Sequence, residues 1–476
     1  MDQAVCRGCQ LRDELLAERD TRIAELERRV HDLENTTRDL LGRLGQNATN
    51  SSLPPSANPP QAPKPVVKEK TGKKSGAQPG HPRHLKQLLP PERVSRVETF
   101  VPRHCERCQA ALPAQPGRGD PPPSRHQVAD LPEVRALVVE YQGHTRTCSC
   151  CGHQTHAAIP AVLKQHSVGP GLAATLSYLA GCHHVSQRGQ EEIAQALFDV
   201  PVAVGTVANL AQEMSQALQS AHAEALDAVR AAPVKNVDET SWKQAGQRCW
   251  LWVAATQAVA VFVIHGKRSV DGLIALLGEV VGGIICSDRW SVYGRLHVLQ
   301  RQVCWAHLKR DFTKLRDRGG AAAGIGRAGL RAVRQVFDAW HLFRGGGLTR
   351  LELERRLEPT GQRLEAVLRA GRTCADETAA TFCANLLELW PALWRFVITD
   401  GVEPTNNHAE RVLRKGVLWR KNAFGSQSAA GCRFVERLLT VTQTLRLQDR
   451  HVLTFLRDSL TAHRQGQSPP QLIKVG

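Results

Sequence analysis

The chain has 476 residues, 42% of them hydrophobic, and its 62 Lys and Arg outnumber 45 Asp and Glu for a net charge of +17. That length supports several domains, and the basic excess points to a polyanionic partner, nucleic acid first. The longest apolar run, residues 251–264, is too short for a bilayer and the N-terminus lacks a hydrophobic signal core, which excludes a membrane protein and predicts a cytosolic one. In that compartment the 14 cysteines favour metal binding over disulfides.

Residues 1–45 are expected to form a coiled coil. Leu16, Ile23, Val30, Thr37 and Leu44 recur at one heptad position and Leu26, Leu33 and Leu40 at the other, with Arg19 the one misfit. A homodimer or higher oligomer follows; the alternative is a lone amphipathic helix lying on the chain's own body. Ahead of the heptads, Cys6 and Cys9 form half a zinc site with no local partner pair. Residues 46–92 combine recurrent proline with Lys64, Lys68, Lys70, Lys73 and Lys74, a composition that cannot bury a core. They predict a basic linker, either a solubilising tether or an arm that tracks phosphates.

Residues 93–160 hold Cys105-x2-Cys108 and Cys148-x2-Cys151. Two tight turns, each presenting two thiolates, complete a tetrahedral structural zinc site; unliganded reduced cysteines are the alternative, and His104, Cys150 and His153 are substitute ligands. Four thiolates leave no open position, so zinc hydrolysis is not expected there. Residues 98–101 and 135–142 are expected as strands beside these knuckles, joined by a Pro-rich loop.

Residues 165–230 are predicted helical. Leu172, Leu176 and Leu179 mark one helix, Ile193, Ala196 and Leu197 another, and Val207, Leu210, Met214 and Leu218 a third, capped by Thr206. The last two have the spacing of a DNA-binding helix-turn-helix, although plain core packing uses the same pattern.

From Val234 the pattern turns to strands. One strand ends at Asp238, a hairpin spans 249–255 and 259–264, a helix covers 270–277, and the strand 283–286 delivers Asp288. If the two acid-bearing strands are neighbours, Asp238 and Asp288 open into one cleft. Glu239 is excluded, because successive side chains on a strand point to opposite faces. Cys304-Trp305-Ala306-His307 passes from a strand end into a basic helix, and residues 321–396 form an all-helical insertion. Thr405 or Asn406 then caps a helix bearing Glu410, Arg411, Arg414, Lys415, Arg420 and Lys421. Glu410 is either an i,i+4 partner of Arg414 or a metal ligand beside a phosphate. Asp238, Asp288 and Glu410 together would hold two magnesium ions for in-line phosphoryl displacement, with Arg411, Arg414, Lys415, Arg420 and Lys421 contacting the DNA backbone.

At these residues the chain resembles the insertion sequence 66 family of DNA transposases. The likeness runs through Asn50-Ser51-Ser52-Leu53-Pro54-Pro55-Ser56, Gly76-Ala77-Gln78-Pro79-Gly80-His81, the four cysteines, Asp238-Glu239-Thr240-x-Trp242, Ser287-Asp288 and Cys304-Trp305-Ala306-His307, and ends with Asn406-Asn407-x-Ala409-Glu410-Arg411 and Arg420-Lys421-Asn422. It implies a multidomain α/β protein with a ribonuclease-H-like catalytic domain (231–320 and 397–450) interrupted by the helical insertion, an Asp-Asp-Glu triad of Asp238, Asp288 and Glu410, and a C-terminal tail (451–476). It also implies double-stranded DNA at element ends and at the target as substrate, strand cleavage followed by strand transfer, accessory proteins of the same element, and location on the nucleoid. Arg289-Trp290 stand where the family has glycine and an aromatic, and a cation there would compete with a metal ion. That departure keeps a second reading open, a DNA-binding protein or regulator without catalysis.

Overall fold

The computed structural model describes residues 7–51, 58–59, 87–132 and 134–473, and divides into two compact units. One runs from Pro63 to Leu137; the other joins Met1–Ala62 to Val138–Gly476. The Gly76–His81 motif and most of the expected basic linker lie outside the described residues, as does Cys6. Among the described residues no helix is long and apolar enough to cross a membrane.

In the smaller unit, Cys105 and Cys108 occupy a turn closed by hydrogen bonds from Gln109 N–H to Cys105 and from Cys105 N–H to Ala110, with a bridge between His104 and Ala111. The strand expected at 98–101 is absent. Val97 and Phe100 are exposed and, among the described residues, that backbone has no ladder partner, which an extended apolar segment needs to become a strand.

In the larger unit, α1 (Arg7–Leu44) is the predicted long helix. Its heptad residues are uncovered, Leu26 by 45% and Leu33 by 66%. Strands β1 (Thr145–Thr147) and β2 (Gln154–His156) pair antiparallel around the Cys148–Cys151 turn. The strand expected at 135–142 is absent too, its Leu137 and Val138 exposed. Helices α2 (Ala161–Lys164), α3 (Pro170–His183), α4 (Gln187–Phe198), α5 (Val204–Ala217) and α6 (Gln219–Ala231) follow. Thr206 does not cap α5. The helix starts at Val204 behind Ala203, where Val202 and Val207 are both buried in the positions of a hydrophobic staple.

The sheet is built from β3 (Val234–Gln244), β4 (Gln247–Ala255), β5 (Ala260–His265), β6 (Ile284–Ser287) and β7 (Arg301–Val303), with α7 (Val270–Leu277) between β5 and β6. Its order is β5-β4-β3-β6-β7. β4 runs antiparallel to β3 and β5, whereas β6 is parallel to β3 and to β7. β3 does not end at Asp238. It continues to Gln244 because the turn residues Ala245 and Gly246 both take left-handed backbone (φ 47° and 78°), the conformation of a tight two-residue hairpin.

Helix α8 (Trp305–Arg318) leads into the insertion: α9 (Gly320–Arg344), α10 (Arg350–Gly371), α11 (Glu377–Glu388), α12 (Trp390–Leu393) and α13 (Arg395–Ile398). These pack a core of their own around Trp305, Phe312, Val336, Leu353, Leu386 and Phe396, which reaches the sheet at Ile284, Cys286 and Val303. Helices α14 (Asn407–Ala423), α15 (Ala429–Leu447) and α16 (Val452–Gln465) return to the sheet and to α3–α6. The segment expected as a tail is thus largely helix. Phe455, Leu456 and Leu460 form an apolar stripe that the core buries.

Edge strand β5 is closed by side chains of α15. The N–H groups of Ala260, Phe262 and Ile264 donate to Thr444 Oγ1, Thr440 Oγ1 and Glu436 Oε1. Four residues of helix rise about 6.0 Å and two of strand about 6.8 Å, so i, i+4, i+8 on α15 keeps step with alternate residues of β5. This covers an edge that would otherwise template aggregation.

Glu436 bears the cost. Burial pushes its carboxyl up to about 7, against the Ile264 N–H and the neighbouring Arg433 and Arg437. Because the folded value exceeds the unfolded one near 4.5, the native state holds a proton that the unfolded chain has released, and stability falls as pH rises from about 4.5 to 7. We predict that Glu436→Gln, which keeps an acceptor for Ile264, is more stable than wild type at about pH 8 by roughly 1–3 kcal/mol and loses most of this slope. Urea unfolding at several pH values measures it; parallel wild-type and variant curves would refute it.

Candidate active site

The site forms where two parallel strands part. Backbone pairing between β3 and β6 joins 234 to 284, 235 to 285 and 236 to 286, an offset that, continued two residues past the last pair, would bring Asp238 level with Asp288. Ser287 is the last residue of β6, so both carboxylates lie just beyond the paired segment, at the carboxyl end of β6. In open α/β sheets that end is where ligands bind.

The gap is spanned from α14. Asn406 stands in the N-cap position but caps nothing with its side chain. Its Nδ2 instead donates to the carbonyl of Val237 (2.7 Å), its Oδ1 accepts from Asn236 Nδ2 (3.0 Å), and its backbone N–H meets Cys304 Sγ (3.1 Å). Trp305 N–H donates to the carbonyl of Pro404. One buried asparagine, 1% exposed, thereby ties the start of α14 to the residue before Asp238 and to the start of α8.

Alternation along β3 sorts the remaining side chains. Asn236, Thr240 and Trp242 meet Asn406, Arg420 Nη1 and Ser426 Oγ, partners that all belong to α14 or to its flanking loops. Asp238 shares their face. Gly416 lets α14 lie this close, since a Cβ there would come within 2.4 Å of the Leu251 side chain. Glu239 takes the other face, its carboxylate accepting from Tyr293 Oη (2.7 Å) and from Arg268 Nε (3.0 Å). Arg268 in turn stacks over Trp290 at 3.9 Å.

The expected acids are close enough to act on one another. Asp238 is raised well above the usual carboxylate range by burial, then by the like charges of Glu239, Glu410 and Asp288. Asp288 Oδ1 accepts from Trp290 N–H at 2.9 Å. The Glu410 carboxylate makes no ion pair with Arg414; it faces His307 Nδ1 at 3.7 Å. Four carboxylates share this region with two guanidiniums, Arg268 on Glu239 and Arg301 beside Asp288, an excess of negative charge that fits divalent ions. Arg289 turns away, donating to Asp311 through Nε and Nη2 (3.0 and 2.8 Å) and lying over Phe382. Buried Arg301 approaches Asp288 instead, through its backbone carbonyl.

Of the basic residues on α14, Arg411, Arg414 and Lys421 are exposed and Lys415 is half-buried. Arg420 points inward, to the Thr240 hydroxyl and the Ser241 carbonyl. At the two cysteine turns, considered separately, peptide N–H groups aim at sulfur. Those of Cys108 and Arg107 lower the Cys105 thiol, and those of Cys151 and Cys150 lower Cys148, which favours the thiolate form that zinc takes. Sequence reasoning missed Asn406 as a tether, and it missed His307, Tyr293, Arg301 and Arg268. The one available signal was the run Cys304–His307, whose spacing suits ligation.

Comparison with known proteins matches residues 165–433 to a family described as "Transposase IS66 family", and residues 9–87 to a family of unknown function (DUF6444). An uncharacterized protein of Sinorhizobium fredii, y4qI, is 26% identical over 262 residues, which cover 46% of this chain and 44% of that protein. The chain therefore spans less than half the length of that relative.

Replacing Asn406 by Ala leaves the Val237 carbonyl and the Asn236 amide without this partner. We predict a loss of about 1–3 kcal/mol for each group stranded, against under about 0.5 kcal/mol for Thr405→Ala. Denaturant unfolding compares the two, and similar small shifts would remove the tether from the account.

Proposed function

The chain belongs to the IS66 transposase family, and on that footing we propose that it binds the ends of its element and cuts and joins DNA strands there with magnesium. Asp238, Asp288 and Glu410 would hold two ions, which when bound activate the attacking oxygen and neutralise the leaving one. The observation that supports this reading is that Asp238 and Asp288 both follow the last β3–β6 pair, that Asp288 and Glu410 act as like charges on Asp238, and that α14 packs on the Asp238 face. The ribonuclease-H-like assignment rests on the strand order, an antiparallel meander continued by two parallel strands.

The chain's own residues do the positioning. Asn406 holds the Glu410 helix against β3, and Trp290 N–H orients Asp288. Water, then a DNA 3′-hydroxyl, is the nucleophile. Arg411, Arg414 and Lys421 contact phosphate from the exposed side of α14, with Lys415 behind them. Arg420 is better assigned to holding β3. DNA contact through α5 has no support from charge, since that helix carries no Lys or Arg and its Glu213 is paired with Arg464. The non-catalytic alternative depended on an unmatched cation beside Asp288, and Asp311 matches it. The Cys-x2-Cys turns are proposed to hold structural zinc, and the uncovered leucines of α1 a second copy in a coiled coil.

On DNA carrying the element's inverted ends, wild type should give magnesium-dependent cleavage and strand transfer, and Asp288→Asn should lose both by a factor of at least about a thousand. Equal activity in the two would sink the assignment. Changing Arg411, Arg414 and Lys421 together to Gln should flatten the log–log salt dependence of end binding by about 2–3, at roughly 0.9 per phosphate contact. For the coiled coil, light scattering should show the mass of an oligomer, reduced to that of one chain by Leu26→Asp with Leu33→Asp.

A further inference from the structure

Beside the three acids stands a second set of donors. Among the described residues His307 Nδ1 is buried without a hydrogen-bond partner, and it faces Glu410 Oε1 at 3.7 Å, too far for a hydrogen bond. The sulfur of Cys304, the imidazole of His307 and a carboxylate oxygen of Glu410 all lie within 4.8 Å of one another. Cys304 precedes α8 and His307 sits in its first turn, so the two come from one helix start, while Glu410 comes from the first turn of α14. The Asn406 N–H that reaches Cys304 Sγ holds these two helix starts together.

Two ligands on one tetrahedral ion with bonds of about 2.0–2.1 Å stand roughly 3.4 Å apart, close to the observed His307–Glu410 gap. A magnesium ion takes oxygen donors; a thiolate, an imidazole and a carboxylate together suit a borderline transition ion. We propose that Cys304, His307 and Glu410 form a zinc-type metal site that shares Glu410 with the catalytic acids. Burial pushes the Cys304 thiol up to about 11, so ion capture transfers its proton to solvent as the sulfur–metal bond forms. Three protein ligands leave one position open. The consequence for catalysis rests on the proposed function: a zinc-type ion that takes Glu410 withdraws it from magnesium and inhibits strand cleavage.

The experiment is cobalt binding to full-length, metal-stripped protein, followed by absorption and by ions bound per chain. Wild type should show sulfur-to-cobalt charge transfer and tetrahedral bands, and His307→Ala and Glu410→Gln should each bind one ion fewer while keeping the cobalt bound at the cysteine turns. Cys105→Ser should lose cobalt independently of them. Cys304→Ser is checked by its melting curve, and His307→Ala, whose side chain is 24% exposed where that of Cys304 is buried, carries the test if that variant fails to fold. Asp238→Asn keeps all three ligands and should retain the wild-type sulfur-to-cobalt and tetrahedral bands, whatever cobalt the carboxylates lose. Unchanged sulfur-to-cobalt and tetrahedral bands in His307→Ala overturn the site. Full strand cleavage by Asp238→Asn would overturn the catalytic reading instead, whatever the cobalt count. Added zinc should inhibit wild-type cleavage at least tenfold at fixed magnesium, and inhibit His307→Ala much less.

Discussion

The arrangement depends on one hydrogen-bonded asparagine. A strand that leaves its parallel neighbour exposes peptide groups to a buried gap, and each such group needs a partner. Asn406 supplies a donor to Val237 and an acceptor to Asn236 from the start of a helix that begins far away in the chain. The same residue that satisfies the backbone thereby decides where Glu410 stands. The insertion from α9 to α13 buries a core of its own but is also anchored to this frame, where Trp305 Nε1 donates to the Leu393 carbonyl and Phe396 N–H donates to Gln302 of β7. It steadies β7 and the start of α8, while Asn406, Cys304 and Gly416 fix α14.

Much of this was legible in the chain. Period-two alternation separated Asp238 from Glu239, and the apolar run ahead of Ser287-Asp288 announced a buried strand, because burial on both faces imposes continuous hydrophobicity. Helical stripes such as Leu330, Val333, Phe337 and Trp340 marked the insertion for a similar reason. What was hidden is what depends on a partner. Asn406 before a helix looks like a cap, since capping is the local use of asparagine, and only the neighbouring strand reveals the other use. Arg420 looks like a phosphate contact because a charge carries no record of the direction in which its side chain points. Residues 98–101 have strand composition but no second strand, and β-propensity without pairing does not make a sheet.

Charge is organised as unevenly as shape. On one face of β3, Glu239 is matched by Arg268 and Tyr293; on the other, the like charges of Glu410 and Asp288 bear on Asp238. A folded protein tolerates such a concentration when a cation completes it. Arg289, the residue that broke the expected pattern, is neutralised by Asp311 and by an aromatic face, so an unusual sequence is absorbed by a local neighbour.

The α15 ladder carries a consequence for how the molecule is made. Strand β5 ends at His265, but the residues that cover it, Glu436 to Thr444, lie about 170 residues later. At synthesis rates of about 5–20 residues per second, the nascent chain carries an apolar, uncapped edge for roughly 10–35 s before its cover emerges. During that interval the sheet can pair with other chains, so the yield of folded protein is set by a race between translation and association rather than by the stability of the finished fold.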